Sequence, residues 1–304
     1  MLKNKSCLSF LIVFTFISIF SFSISIVNAQ IPKDVKSNLN IPDSKQVQII
    51  TTYDKSTLIG RIVKIGEQEI QFKTEFGEIT IPIQKIKSVE VVPISSIKGG
   101  IYWFPNPNAT RLYFAPTARM LKQGEGYFSD YYLFFPGISY GITDNVTIGG
   151  GISLIPWIGI DKQLFYFTPK VGLKATKNFN FATGALIIKV PDSSDDDSPI
   201  VGILYGVSTF GTPDGSITAG IGYGFVGSDL AEKPMFMIGG EKRLSRRMAF
   251  VTENWILPGV DQPLISYGMR FMGEKMSFDL ALWNILSEDI FFPGMPYVDF
   301  VFNF

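Results

Sequence analysis

The chain of 304 residues contains no histidine and a single cysteine, and these two scarcities exclude many functions. Without histidine there can be no Ser-His-Asp triad, no histidine general base and no histidine-ligated zinc site. One cysteine cannot form a disulfide framework within the chain. Neither sign of charge predominates, since 27 Lys and Arg balance 27 Asp and Glu. The absence of a net positive charge argues against nucleic-acid binding. We therefore expect no enzyme, no cofactor and no metal site.

The first 29 residues have the features of a secretory signal peptide. Two lysines precede an apolar stretch at residues 8–27, and Val27-Asn28-Ala29 places small or medium residues at the cleavage positions. We predict cleavage after Ala29. An uncleaved membrane anchor is the alternative, because the stretch approaches the length that spans a bilayer. Cys7 lies before the apolar stretch, so it is not a lipoprotein cysteine, and cleavage would remove it.

The rest of the chain divides into two regions of different composition. Residues 30–45 are polar and predict a linker, and residues 46–98 predict a small soluble β domain with only a few aromatic side chains. Residues 99–109 predict a second linker. Residues 110–304 hold most of the 27 Phe, 12 Tyr and 4 Trp of the chain. Such a shift indicates a domain boundary and a change of environment.

Short β-branched runs separated by turn residues predict five strands in the small domain. Gly60-Arg61-Ile62, then Thr74-Glu75-Phe76-Gly77 and Ile81-Pro82, resemble the small SH3-like or Sm-like barrels of secreted and envelope proteins. The resemblance implies a spacer or docking module, with a possible periplasmic partner for residues 46–98. It covers this region alone.

The end of the chain alternates strictly between apolar and polar positions. The residues of one parity are Val298, Phe300, Phe302 and Phe304. The other parity carries Asp299 and Asn303, as expected for a strand with one apolar side. An alternating strand that finishes on phenylalanine resembles the last strand of bacterial outer-membrane β-barrels. The resemblance implies recognition by the barrel assembly machinery and contact with outer-membrane lipid.

Period-two segments recur through the large region and indicate about twelve strands. The predicted strands are 110–117, 127–142, 146–155, 164–175, 179–190, 199–210, 216–225, 235–244, 248–257, 263–272, 276–286 and 297–304. Short turns alternate with longer connections. In outer-membrane barrels short turns face the periplasm, so the C-terminus, the start of the first strand and the small domain are predicted to be periplasmic.

Seven charged side chains fall on the parity predicted to face the barrel interior. They are Lys170, Lys174, Glu241, Arg243, Arg270, Asp279 and Asp299. These charges could line a pore or pair within a packed interior, and their mixed signs favour pairing. Glycines on the same parity, such as Gly149 and Gly220, would allow curvature or leave room inside.

Three other features of the sequence have no predicted functional role. The acidic run at residues 192–197 could hold Ca²⁺ but is predicted to be a solvated loop. Residues 103–111, with two prolines, are predicted to be a rigid linker with an interfacial aromatic anchor. Glu253 is assigned no role, because its strand is apolar on both parities.

The sequence therefore predicts an all-β protein, with a transmembrane antiparallel β-barrel of about twelve strands preceded by a small SH3-like β-barrel domain. The resemblance implies a porin-like protein in the outer membrane of a Gram-negative-type bacterium, acting as a small pore or as a structural envelope protein. The alternative is a soluble or surface-attached secreted β-sandwich that acts as a binding module.

Overall fold

A computed structural model of the chain describes residues 39–190, 200–285 and 293–304. The predicted signal peptide and the acidic run at 192–197 lie outside these residues. The chain divides into two compact units, which meet in sequence between Trp103 and Phe104.

The first unit is an antiparallel sheet with the strand order β4-β3-β2-β1-β5. Its strands are β1 (Gln46–Thr52), β2 (Thr57–Ile65), β3 (Glu69–Thr74), β4 (Gly77–Pro82) and β5 (Ile86–Pro93), followed by the short pair β6 (Ile97–Lys98) and β7 (Ile101–Tyr102). Ile50, Ile62, Ile70 and Phe72 are buried in its core because they share one face of the alternating strands. That this unit belongs to the SH3-like or Sm-like class remains a prediction.

The second unit contains the remaining strands of the described chain. They are β8 (Gly126–Tyr131), β9 (Phe135–Thr143), β10 (Val146–Ile152), β11 (Phe165–Phe167), β12 (Lys170–Lys174), β13 (Phe179–Lys189), β14 (Ile200–Thr212), β15 (Gly215–Val226), β16 (Asp229–Leu230), β17 (Met235–Ser245), β18 (Met248–Ile256), β19 (Leu264–Met272), β20 (Met276–Ile285) and β21 (Met295–Asn303). β11 and β12 both pair with β10 and β13, so together they form one interrupted strand of the wall.

The wall of the second unit is a closed antiparallel barrel of twelve strands. Each strand pairs with its neighbour in sequence, and β21 pairs with β8 to close the circle. Backbone bonds between Gly126 and Phe304 continue this seam to the end of the chain. The closed pairing confirms the predicted barrel and its strand number, and it rules out the β-sandwich.

The two ends of the barrel differ in the length of their connections. At one end, here called the short-turn end, tight turns at residues 144–145, 213–214 and 246–247 join neighbouring strands. At the other end, called the long-connection end, neighbouring wall strands are joined by the longer segments 153–164 and 227–234. The alternation agrees with the turn lengths predicted from the sequence, except at residues 132–134, where a short turn joins β8 and β9 at the long-connection end.

The outer surface of the barrel is apolar along neighbouring strands. Outward positions of β17 and β18 hold Phe236, Ile238 and Phe250, while Glu241 and Arg243 point inward and are buried. Val298, Phe300 and Phe302 lie on the outer parity of β21, opposite the buried Asp299. Among the described residues, no helix is long and apolar enough to cross a membrane.

The structure corrects two of the predicted strands. Residues 110–117 are not a wall strand but part of a hairpin with one isolated bridge, between Arg111 and Pro116. The predicted strand 127–142 is two strands, β8 and β9. They are joined by a turn in which Tyr132 and Leu133 have φ of 54° and 64°. Neither is glycine or asparagine, so the residue types at these two positions do not indicate a left-handed turn.

Candidate functional site

The barrel interior contains a hairpin-shaped segment, residues 104–121, here called the inner segment. Phe104 lies near the short-turn end, where its carbonyl accepts a hydrogen bond from Arg243 at 2.7 Å. The chain then runs inward, reverses at residues 112–115 with a backbone bond from Leu112 to Ala115 (2.9 Å), and returns. Arg119 reaches the short-turn end again, donating to the carbonyl of Thr212 at 2.7 Å. The prediction of a rigid interfacial linker at 103–111 is therefore wrong for its barrel-unit part, residues 104–111, which fill the interior.

Arg270 on β19 is the centre of the contacts between the wall and the inner segment. Its guanidinium forms two hydrogen bonds of 2.8 Å with Asp279 on the neighbouring strand and a 2.6 Å bond with Glu241. The remaining donors reach the carbonyls of Asn108 (2.8 Å) and Leu112 (2.5 Å). Arg270 has no exposed surface. One wall arginine therefore forms ion pairs with two wall carboxylates and fixes two points of the inner segment.

The acidic partners of Arg270 also contact the inner segment directly. Glu241 accepts a 2.5 Å hydrogen bond from the Asn106 amide, and Asp279 accepts a 3.4 Å bond from the Asn108 amide. Both carboxylates are buried, so each needs such donors to offset the loss of water. The two asparagines explain why this part of the chain enters the barrel despite its polar side chains.

Asp299 and Lys170 hold the inner segment from two other strands. Asp299 on β21 forms a 2.7 Å ion pair with Arg111. The ammonium of Lys170 on β12 donates to the carbonyls of Thr110, Thr117 and Arg119 at 3.2, 3.2 and 2.8 Å. Lys170 thereby bridges the two arms of the hairpin.

Glu253 on β18 is the residue that sequence reasoning missed. One carboxylate oxygen accepts the backbone N–H groups of Tyr113, Phe114 and Ala115 at 2.8, 3.1 and 2.9 Å. The other oxygen accepts the indole N–H of Trp255 at 2.8 Å. Glu253 therefore fixes the reversal of the inner segment. The sequence did contain a signal for this residue, because a carboxylate on a lipid-exposed strand has to face the barrel interior.

Tyr113 and Phe114 at the reversal lie in an aromatic cluster. Tyr113 packs against Tyr297 with ring centroids 5.1 Å apart, and Phe114 stacks on Tyr131 at 5.2 Å. The Tyr113 hydroxyl donates to the carbonyl of Val251 at 2.8 Å.

Six of the seven charges predicted to face the interior are buried and contact the inner segment. They are Lys170, Glu241, Arg243, Arg270, Asp279 and Asp299. Lys174 is exposed, because it lies at the end of β12 beside the short-turn end. In the described part of the chain, no group of three potential ligands could hold a metal ion.

Comparison with known proteins finds similar solved structures but no family. No family model and no curated protein matches the chain. Similar solved structures include OmpT, an outer-membrane protein of Vibrio cholerae (TM-score 0.32, 9% identity, 87% of this chain and 100% of that chain). Others are OmpF of Salmonella typhi with daunomycin (0.32, 9%, 86% and 95%) and a mutant Rh. blastica porin (0.31, 9%, 85% and 97%).

The structure itself defines the class of protein. The second unit is a twelve-stranded antiparallel β-barrel with an apolar exterior and an interior occupied by its own preceding chain segment.

Proposed function

We propose that the protein is an integral outer-membrane β-barrel whose interior is closed at the short-turn end by the inner segment. A closed barrel satisfies the backbone groups of its wall without water, which β structure in lipid requires. The outward side chains supply an apolar exterior for contact with outer-membrane lipid. The observation that carries the proposal is the set of buried contacts from six wall charges and Glu253 to residues 104–121.

The contacts of the inner segment favour a barrel with a blocked interior over an open general pore. Release of the inner segment would leave Glu253, Asp299 and Lys170 without the partners that they have in the barrel. Water could replace these partners in an emptied lumen, but the buried side chains of Leu112, Tyr113 and Ala115 would then be exposed to it, so the occupied state is favoured. A non-catalytic role is part of this proposal, and the contacts of the buried charged groups with the inner segment support it.

The orientation in the membrane is part of this proposal. Short turns face the periplasm in bacterial outer-membrane barrels, and the inner segment begins at the short-turn end. Residues 46–98 would then form a periplasmic docking module of SH3-like or Sm-like type, with a periplasmic partner. Val298, Phe300, Phe302 and Phe304 would be the strand that the barrel assembly machinery recognises.

Planar-bilayer recording tests the closure. Purified wild-type protein, shown to be a folded barrel by its change of gel mobility on boiling, is expected to give no steady conductance. The variant Arg270→Met/Glu253→Gln, which loses the main contacts to the inner segment, is expected to give frequent steps. The control Lys242→Met removes an outward charge next to Glu241 and should stay silent. Steady conductance of the wild type would overturn the closure.

A further inference from the structure

A cavity of about 500 Å³ lies beside the inner segment and extends towards the long-connection end of the barrel. Phe114 and Pro116 of the inner segment line it, and on the wall it reaches Ile203, Met235 and Trp255 near the strand ends. The lining is mainly aliphatic and aromatic, with a few hydroxyl groups. The size is that of small-molecule binding sites in proteins.

Glycines in the wall leave room for two tyrosine rings. Tyr166 pairs with Gly151 and Tyr205 pairs with Gly184 across neighbouring strands, so each ring has a residue without a side chain beside it. A Cβ atom at Gly151 would lie 2.4 Å from the Tyr166 hydroxyl, and one at Gly184 would lie 2.5 Å from the Tyr205 hydroxyl. Because only glycine leaves this space, both rings can lie against the wall, where they line the cavity.

The charged groups beside the cavity already have partners in the barrel. Among the described residues of the lining, only Arg111 and Lys170 are charged. The Lys170 ammonium donates to three backbone carbonyls, and Arg111 donates to the Tyr113 carbonyl and to Asp299 at 2.7 Å each. The Nε atom of Arg111 is buried and does not face the cavity. A charged ligand would therefore lose its water without gaining an ionic partner, so the site favours an uncharged one.

The apolar lining continues from the cavity towards the long-connection end. Leu186 and Ile188 on β13 and Ile203 on β14 line both this cavity and a second one of about 520 Å³, which reaches Leu230 and Ala231 in the connection after β15. Outer-membrane barrels that form water-filled channels have a polar interior. Water beside an apolar surface is released when an apolar molecule takes its place, which favours binding. The lining therefore favours an apolar occupant over a hydrated solute.

We propose that this cavity binds one uncharged, mainly apolar small molecule of the size of a two-ring aromatic compound. Its rings would contact Tyr166, Tyr205 and Trp255, which all line the cavity. The ligand would enter from the long-connection end, because the inner segment occupies the interior towards the short-turn end. This site requires the barrel and its inner segment, and it goes beyond the closure to ions proposed above.

Binding of 2-acetylnaphthalene to the full mature chain in lipid nanodiscs tests the location of the site. Calorimetric titration, after subtraction of partition into empty nanodiscs, is expected to show one saturable site in the wild type. Ile203→Trp fills the cavity and should weaken binding at least tenfold, whereas Leu204→Trp lies on the outer face of the same strand and should leave it unchanged. Met235→Trp and Phe236→Trp form a second matched pair on β17 with the same expectation. Absence of saturable binding, or equal binding by inner and outer variants, would overturn the proposal.

Two charged analogues test the preference for an uncharged ligand. The anion 2-naphthoate has nearly the shape of 2-acetylnaphthalene, and 2-naphthylmethylammonium carries a positive charge on the same ring system. Both should bind at least tenfold more weakly to the wild type. Heat-modifiability shows that each variant has a folded barrel, and conductance of the same preparation tests the closure separately. Equal or tighter binding of either charged analogue would refute the uncharged ligand.

Discussion

Replacement of Arg270 by methionine removes the residue that connects the wall charges to the inner segment. Methionine has a flexible stem but no donors, so Asp279 and Glu241 lose their arginine partner. The carbonyls of Asn108 and Leu112 lose a donor as well. Breaking a buried ion pair by removing one partner costs about 3–5 kcal/mol. We expect Arg270→Met to lower the free energy of unfolding by that amount.

Arg270→Lys separates charge from geometry. Lysine keeps the positive charge but has only three donors, all on one nitrogen. It therefore cannot form the five hydrogen bonds that Arg270 makes to four different residues. We expect it to recover only part of the loss.

Urea titration of protein folded in detergent micelles measures these differences. The folded fraction is followed by the gel mobility of unboiled samples and by tryptophan fluorescence, in both the unfolding and the refolding direction. Lys242→Met, on the outer face of β17, is the control and should unfold with the wild type. A free energy of unfolding for Arg270→Met within about 1 kcal/mol of the wild-type value would refute the assigned role of Arg270, since a broken buried pair costs more.

Three further predictions use the same titration or a fractionation assay. Glu253→Gln should lower the free energy of unfolding by about 1–3 kcal/mol, because the amide oxygen that accepts the three N–H groups is uncharged and the amide NH2 cannot accept the Trp255 N–H; no change would contradict the account of the reversal. Leu133→Gly should raise it by about 1 kcal/mol, because Leu133 is 75% exposed and has a left-handed backbone; a loss would show that the turn is unstrained. Phe304→Ser should reduce the heat-modifiable barrel in outer-membrane fractions, whereas Phe210→Ser, on an outer face elsewhere, should reduce it less; equal effects would argue against an assembly signal at the end of the chain.

Alternation along single strands was the most informative feature of the sequence. In β21, Asp299 faces inward between apolar outward residues, and in β17 Glu241 and Arg243 do the same. Such positions are predictable because lipid contacts one parity and the interior the other. The prediction failed at residues 110–117, where Leu112, Tyr113 and Ala115 are apolar because they are buried inside the barrel, a cause that the sequence alone does not distinguish from contact with lipid.

The pairing inside the barrel was less accessible to prediction. Arg270 meets Asp279 across neighbouring strands, a contact that the register of a hairpin can suggest. Its bonds to Asn108 and Leu112 join residues far apart in sequence, and no local pattern encodes them. Glu253 was overlooked because its own strand shows no clear polarity, and the parity of a strand is only evident beside its neighbours.

Cross-linking tests the occupancy of the barrel by the inner segment most directly. The amide of Ala118 donates to the Thr209 hydroxyl at 2.9 Å, and Phe210 points outward from the same strand. In a Cys7→Ser background, Ala118→Cys/Thr209→Cys treated in outer-membrane fractions with a short bifunctional thiol reagent should give a linked peptide by mass spectrometry. Ala118→Cys/Phe210→Cys should not. A linked peptide from neither pair, or from both equally, would contradict an inner segment held within the barrel.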